Sequence, residues 1–128
     1  MTAQECLEKI KAKLIISDAV CSITIIAERA LSNRGYFRAR LTLANGDFLE
    51  VSEYFLTENN GCSTIEYRHQ WMDPARTKLI KRWDNAPHFP QLANFPHHIH
   101  IASETDAVPG TVMGIIHLIE LFETELLT

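Results

Sequence analysis

The amino-acid sequence predicts an α+β fold, in which a curled antiparallel sheet of about six strands carries an N-terminal and a C-terminal helix packed on one face. Two observations support this class. Apolar residues recur at helical spacing near both ends of the chain, whereas apolar and polar residues alternate through the middle. The chain has 128 residues, of which 46% are hydrophobic, so we expect a single domain over residues 1–128 with its own core.

Both ends of the chain carry helix signals. Thr2 and Glu5 fit a capping box, and the apolar residues that follow predict a first helix over about residues 3–15. Near the other end, Pro109 suits a first helical turn. The residues after it predict a final amphipathic helix with an apolar face formed by Val112, Ile115, Ile116, Ile119, Phe122 and Leu126.

The middle of the chain alternates as strands do. Cys21, Ile23 and Ile25 alternate with polar residues, which is typical of a half-buried strand. Turn residues separate this segment from five others, so the strands are expected over about residues 19–31, 36–43, 48–56, 64–72, 78–84 and 98–101.

The turn at Asn45-Gly46 fixes how the second and third strands pair. A two-residue loop would oppose residues from different faces of the sheet, and that mismatch would continue along both strands. A three-residue loop over residues 44–46, with Gly46 in the left-handed conformation, removes it. The predicted register therefore pairs Leu41 with Leu49, Ala39 with Val51 and Arg40 with Glu50.

The bulk properties argue against several classes of protein. A net charge of −4 argues against a broad basic face for non-specific nucleic-acid binding. We find no secretory signal and no apolar stretch of the roughly 20 residues that would span a bilayer, so a cytoplasmic protein without membrane contact is expected. Cys6, Cys21 and Cys62 are odd in number and lack metal-type spacing, which favours three free thiols.

Functional residue types crowd into positions 66–100, which hold five of the six histidines. Alternation places Tyr67, His69 and Trp71 on one face of the fourth strand. It also places Arg82 with Asp84 on one face of the fifth strand, and His98 with His100 on one face of the sixth. His88 lies on the proline-rich loop, residues 86–97, that joins the last two of these strands. We therefore expect one site set to converge near one end of the sheet: Arg82, Asp84, His88, His98 and His100.

Each residue type in this set has a chemical use. Histidines titrate near neutral pH, so His88, His98 and His100 could supply a general base and a general acid. Arg82 could bind a phosphate with its planar fork, and Asp84 could orient a histidine. Rings near the site could stack a nucleic-acid base. The expected base-binding residues are Tyr67, His69, Trp71 and Trp83. Such a set could cleave a phosphodiester bond without a cofactor.

Two other interpretations use the same residues. Arg82 and Asp84 could be a structural ion pair, while Tyr67, His69 and Trp71 belong to the core; the surface would then bind a protein rather than catalyse a reaction. Alternatively, two imidazoles on one side of a strand can bind a transition metal. The ligands in that case would be Asp84, His88, His98 and His100, and the protein would be a metal-dependent hydrolase.

Two segments resemble the TumE family, small proteins proposed as toxins of prokaryotic toxin–antitoxin pairs. The first runs Lys81-Arg82-Trp83-Asp84-Asn85-Ala86-Pro87-His88, and the second runs Phe95-Pro96-His97-His98-Ile99-His100. The stretch 66–71, which includes Tyr67, His69 and Trp71, is similar to that family's aromatic-histidine strand. The family often has lysine where this chain has Ile99, but alternation directs Ile99 towards the core.

The resemblance implies a toxin whose partner is a helix-turn-helix antitoxin protein. RNA as the target follows from the residue types in the site and from the habits of small toxins in general. The function expected from the sequence is therefore a metal-independent endoribonuclease that uses histidine acid–base chemistry.

Overall fold

A computed structural model describes residues 1–127 of the chain and shows two helices and seven strands among them. The elements are α1 (Ala3–Ile16), β1 (Val20–Ala30), β2 (Arg34–Leu43), β3 (Phe48–Glu58), β4 (Gly61–Met72), β5 (Leu79–Asp84), β6 (His98–Ile101), β7 (Ala107–Pro109) and α2 (Ile115–Leu126). The predicted α+β class is confirmed, with one strand more than expected. The capping box at Thr2 and Glu5 is also present.

The strands lie in the sheet in the order of the chain, from β1 to β7, and every neighbouring pair is antiparallel. Both helices pack on the same face, where their apolar residues join those of the strands in one core. We call this side of the sheet the covered face; it presents Phe37 of β2, Leu49 of β3 and Trp83 of β5 to the helices. The opposite side is the open face.

The register predicted for β2 and β3 is confirmed. Leu41 pairs with Leu49, Ala39 with Val51 and Arg40 with Glu50. Gly46 has a φ of 91°, so the three-residue loop uses the left-handed conformation that glycine tolerates best. This register puts the apolar residues of both strands on the covered face.

The alternation expected in β1 is wrong. Cys21 and Ile25 are exposed, and only Ile23 of the three is half-buried. The register between β1 and β2 shifts after Val20 and again after Ile25, and each shift moves the following residues to the other face. Since β1 is an edge strand, it can accept such bulges without disturbing a second neighbour.

The start expected for the C-terminal helix is also wrong. Pro109 ends β7, where it pairs with His98, and α2 begins six residues later at Ile115. Proline cannot donate a ladder hydrogen bond, but at the end of an edge strand no partner requires one.

Two of the three cysteines are not free thiols. Cys6 of α1 and Cys62 of β4 form a disulfide, with their Cα atoms 6.0 Å apart, whereas Cys21 is free and exposed. The expectation of free thiols is therefore wrong for Cys6 and Cys62. The two lie 56 residues apart in sequence, so only the packing of α1 against the sheet reveals their proximity.

A buried carboxylate holds the N-terminus of α2. The residue before the helix is Gly114, which has no side chain to cap it. Instead, the Glu53 carboxylate accepts hydrogen bonds from the Ile115 amide at 2.8 Å and from the Thr64 hydroxyl at 2.7 Å. Burial raises the pKa of Glu53 above its ordinary value. β3 thereby fixes where the last helix begins.

Neither described helix has the length and apolar character needed to cross a bilayer.

Candidate functional site

The site residues divide between the two faces of the sheet, as alternation predicts. Arg82 of β5 pairs with His100 of β6, and Asp84 pairs with His98, so all four side chains project from the open face. On β4, the residues opposite Asp84 and Arg82 are Arg68 and Gln70. We call Arg82, Asp84, His98 and His100 the His–Asp–Arg cluster. Each of its members is at most 7% exposed.

Asp84 lies at the centre of this cluster. One of its carboxylate oxygens lies 2.8 Å from His98 Nε2, and the other lies 3.1 Å from Arg82 Nε and 3.4 Å from His100 Nε2. The amide of Ala86 also donates to it at 3.0 Å. These polar neighbours compensate for the hydration that the Asp84 carboxylate loses when it is buried.

The partners of His98 define where its protons lie. Its Nδ1 is 2.8 Å from the Pro96 carbonyl oxygen, which can only accept a hydrogen bond, so Nδ1 carries a proton. Its Nε2 faces the Asp84 carboxylate at 2.8 Å. The carboxylate is also an acceptor, so Nε2 is placed to donate to it. Both ring nitrogens of His98 therefore face hydrogen-bond acceptors.

The surroundings of His100 favour the neutral imidazole. Its Nε2 lies 3.2 Å from Arg82 Nη2, a donor, and 3.1 Å from His98 Nε2. Burial and then the positive charge of Arg82 lower the pKa of His100 below its ordinary value, more than Asp84 raises it. His100 Nδ1 is buried and has no hydrogen-bond partner among the described residues. The cluster thus holds a proton donor, His98, against a proton acceptor, His100.

The proline-rich loop and the turn after β6 enclose the cluster. The Phe89 ring meets His98 and His100 edge-on, with centroids 4.9 and 5.6 Å apart. Glu104, whose side chain is 68% exposed, pairs with Arg82. Arg82 therefore contacts two carboxylates, one buried and one at the surface.

A cleft of about 490 Å³ reaches the cluster from the open face. Arg82 and Asp84 form part of its wall, and His88 lies at its rim on the proline-rich loop. The remaining lining residues are Ser52, Tyr54, Glu66, Tyr67, Arg68, Asn85, Ala86 and Pro87. His98 and His100 lie behind Asp84 and Arg82, under Phe89.

The structure brings together four of the five residues expected to converge. Arg82, Asp84, His98 and His100 lie within hydrogen-bond reach of one another. His88 does not join them, because it is exposed and no hydrogen bond, ion pair or ring contact links its side chain to the cluster among residues 1–127. Its position follows from the loop backbone, which strand alternation cannot predict.

The four residues expected to bind a base lie on the covered face and contribute to the core. Trp71 and Trp83 pack edge-on against Phe122 of α2. His69 is fully buried between the Met113 carbonyl and the Ser52 amide. Tyr67 borders the cleft but is only 4% exposed, and burial raises its pKa. Their packing favours the interpretation in which these rings belong to the core and do not bind a base.

Several residues near the site were not predicted from the sequence to be functional. Asn85 donates to the Ile65 carbonyl at 2.7 Å and accepts from the Tyr67 amide at 3.1 Å, so it ties β4 to the end of β5. His97 contacts the Tyr67 hydroxyl through Nδ1 at 2.9 Å. Tyr54 and Arg68 line the cleft. The outward positions of β3 and β4 in the alternation could have identified the last two.

The cluster also has features of a metal site. The ligand atoms of Asp84, His98 and His100 all lie within 4.8 Å of one another. The hydrogen bond from His98 Nδ1 to a backbone carbonyl is common for a metal-bound histidine. Against a metal, the Arg82 guanidinium lies 3.2 Å from the His100 nitrogen that would bind it. His88 does not complete the set expected from the sequence.

Comparisons with known proteins give one match. The family model described as toxin TumE matches residues 9–127, which is nearly the whole chain. No curated protein and no solved structure matches. The matched range includes both motif segments and all of the sheet, so the resemblance extends well beyond the histidine-rich region. The chain belongs to the TumE toxin family.

Proposed function

We propose that this protein is the toxin of a toxin–antitoxin pair and acts in the cytoplasm by cleaving RNA without a metal. The observation that carries the proposal is the His–Asp–Arg cluster: Arg82 and Asp84 line the cleft, and a donor histidine and an acceptor histidine lie 3.1 Å apart behind them. An acid, a base and a cation are the parts that phosphodiester cleavage needs.

The chemistry divides among the four residues. His100 accepts the proton of the ribose 2′-hydroxyl as its oxygen bonds to phosphorus. The bond from phosphorus to the 5′-oxygen breaks, and His98 donates its proton to that leaving oxygen. The products are a 2′,3′-cyclic phosphate and a free 5′-hydroxyl. Arg82 stabilises the charge on the phosphoryl oxygens, and Asp84 orients His98. His88 provides a third imidazole at the cleft rim.

For the substrate to reach His98 and His100, the proline-rich loop must move. Phe89 covers both imidazoles, which are 2% and 3% exposed. A substrate in the cleft reaches Arg82 and Asp84 first, and displacement of Phe89 then brings its phosphate to the histidines.

Growth inhibition and RNA cleavage test the proposal together. His98→Ala and Arg82→Ala should each relieve growth inhibition, while His117→Ala, at an exposed position on α2, should not. Purified protein should cleave single-stranded RNA in the presence of EDTA and leave cyclic phosphate ends. Full toxicity of both site variants, as folded proteins, would refute the assignment.

The proposed antitoxin is a helix-turn-helix protein encoded next to this one. It should co-purify with the toxin and suppress growth inhibition. A neighbouring gene of another kind, with no effect on toxicity, would contradict this part alone.

A metal-dependent hydrolase is the second candidate, and the approach of Asp84, His98 and His100 favours it. Metal analysis of protein purified without a nickel column separates the two. A stoichiometric transition metal, together with loss of cleavage in EDTA, would select the second candidate. The third interpretation, a non-enzymatic binding face, predicts a flat open surface. Arg82 lines a cleft, and His100 and His98 lie behind it within hydrogen-bond reach, which supports an enzyme instead.

A further inference from the structure

We propose that the cleft binds single-stranded RNA through two residues outside the His–Asp–Arg cluster, with Tyr54 stacking on an unpaired base and Arg68 binding a backbone phosphate. The inference rests on the proposed ribonuclease function and names its substrate class. The residues expected from the sequence to bind a base were Tyr67, His69, Trp71 and Trp83, but those rings are buried in the core or packed against it.

Tyr54 presents an accessible ring at the cleft. It lies on the open face of β3 and is 49% exposed. The half-buried Tyr36 ring supports it from the neighbouring strand, with centroids 4.3 Å apart and planes 34° apart. The hydroxyl of Tyr36 lies 3.2 Å from that of Ser52, which fixes the supporting ring. A base can therefore stack on a ring that is already held in place.

Arg68 lies on the open face of β4 and forms no salt bridge with a carboxylate among the described residues, unlike three other arginines of that face. Arg38 and Arg40 both pair with Glu50, and Arg82 pairs with Asp84 and Glu104. The one hydrogen bond of the Arg68 side chain goes to the amide oxygen of Gln70, at 3.2 Å. Glu104 interacts with Arg68 electrostatically but does not form a salt bridge with it, so the guanidinium can still bind an anion in the cleft.

The order of these residues across the sheet fits a polynucleotide. Tyr54 pairs with Glu66 on β4, and Arg68 lies two residues farther along the same strand, opposite Asp84. Two residues along a strand span about 7 Å, and neighbouring strands lie about 5 Å apart. When a base stacks on Tyr54, the adjoining phosphates of the strand therefore lie beside Arg68, in the direction of the His–Asp–Arg cluster. The Glu66 carboxylate repels a phosphate on the Tyr54 side.

Two properties of the cleft select single strands. A duplex hides the faces of its bases, so only an unpaired base can stack on Tyr54. Two arginines line the cleft, and Arg68 is the one without a salt bridge among the described residues, whereas a duplex binder normally has a broad basic face. Binding should therefore depend weakly on salt, with a slope of log Kobs against log salt of about −0.7 for each phosphate neutralised.

Binding of a non-cleavable probe tests the inference on the full chain. The probe is a fluorescent single-stranded 2′-O-methyl RNA of mixed sequence, compared with the same RNA as a duplex. Tyr54→Ala should weaken single-strand binding by between about 5- and 100-fold, since base stacking contributes at that scale. Tyr54→Phe keeps the ring and should bind like the wild type. Arg68→Gln should weaken binding and flatten the salt dependence, whereas Arg40→Gln should do neither.

The outcomes separate this inference from the ribonuclease proposal. If RNA is cleaved but Tyr54→Ala binds the probe like the wild type, the inference is overturned and the ribonuclease stands. If binding depends on Tyr54 and Arg68 but RNA is not cleaved, the ribonuclease fails and the binding site stands. Equal binding of duplex and single strand, or no binding at all, overturns the inference.

Discussion

Acid should destabilise this protein through His69, a histidine that the core holds in its neutral form. The His69 ring is fully buried. Its Nε2 donates to the Met113 carbonyl at 2.8 Å, and its Nδ1 accepts from the Ser52 amide at 3.4 Å. A second proton would introduce a buried charge and set a donor against the Ser52 amide. Burial accordingly lowers the pKa of His69 to about 4, from an ordinary value of 6.5.

The size of the effect follows from these two pKa values. Because the folded-state pKa lies below the unfolded one, the unfolded chain binds the proton first as the pH falls. The free energy of unfolding therefore decreases between about pH 6.5 and pH 4, and it is independent of this group above and below that range. The gap between the two pKa values corresponds to about 3 kcal/mol.

Urea unfolding of the wild type and of His69→Gln, from pH 7.5 to pH 4, measures this contribution. The glutamine side chain of the variant cannot take up the proton, so the stability difference between the two proteins should shrink by about 3 kcal/mol over that range. Groups that both proteins share, such as Glu53, cancel in the difference. His117→Gln, at an exposed position, is the matched control. A difference that stays constant with pH would refute the reasoning.

Four further predictions concern buried residues. Asp84→Ala leaves Arg82 with the exposed Glu104 as its remaining carboxylate partner, so it should lower the free energy of unfolding by about 3–5 kcal/mol in urea melts. Asp84→Asn should remain folded but lose growth inhibition, and a toxic Asp84→Asn protein would argue that the charge is dispensable. Glu53→Ala leaves the Ile115 amide without its partner and should cost about 2–3 kcal/mol; an unchanged melt would mean that water replaces the carboxylate. Gly35→Ala places a Cβ against both the Phe55 ring and the Arg29 carbonyl oxygen and should cost about 1–3 kcal/mol by the same assay; an unchanged melt would mean that both neighbours shift without loss.

The sequence predicts those parts of the fold that depend on local pattern and burial. The β2–β3 register follows from Gly46 and from the need to keep Leu41 and Leu49 on one face. The same alternation places Arg82 and Asp84 on the face opposite Trp83, and it directs Ile99 towards the core, against which that residue packs. Because one face of the sheet is buried, the register of every strand that contributes to that face is constrained.

What the sequence does not predict depends on contacts between distant segments. The cap of α2 comes from Glu53, which lies 62 residues before the Ile115 amide that it binds. Pro109 looks like the start of a helix until the edge position of β7 is known. The position of His88 depends on the path of the loop. None of these contacts leaves a periodic signal in the local sequence.

The simple strand order has a consequence for how this toxin is made. Each strand pairs with the one synthesised just before it, so the sheet can grow as the chain leaves the ribosome. The core, however, closes only with the final helix, whose Phe122 meets both Trp71 and Trp83. The sheet that carries the His–Asp–Arg cluster therefore lacks its full support until α2 has been translated. We therefore expect the cluster to reach its final geometry only after α2 has been synthesised and has packed on the sheet.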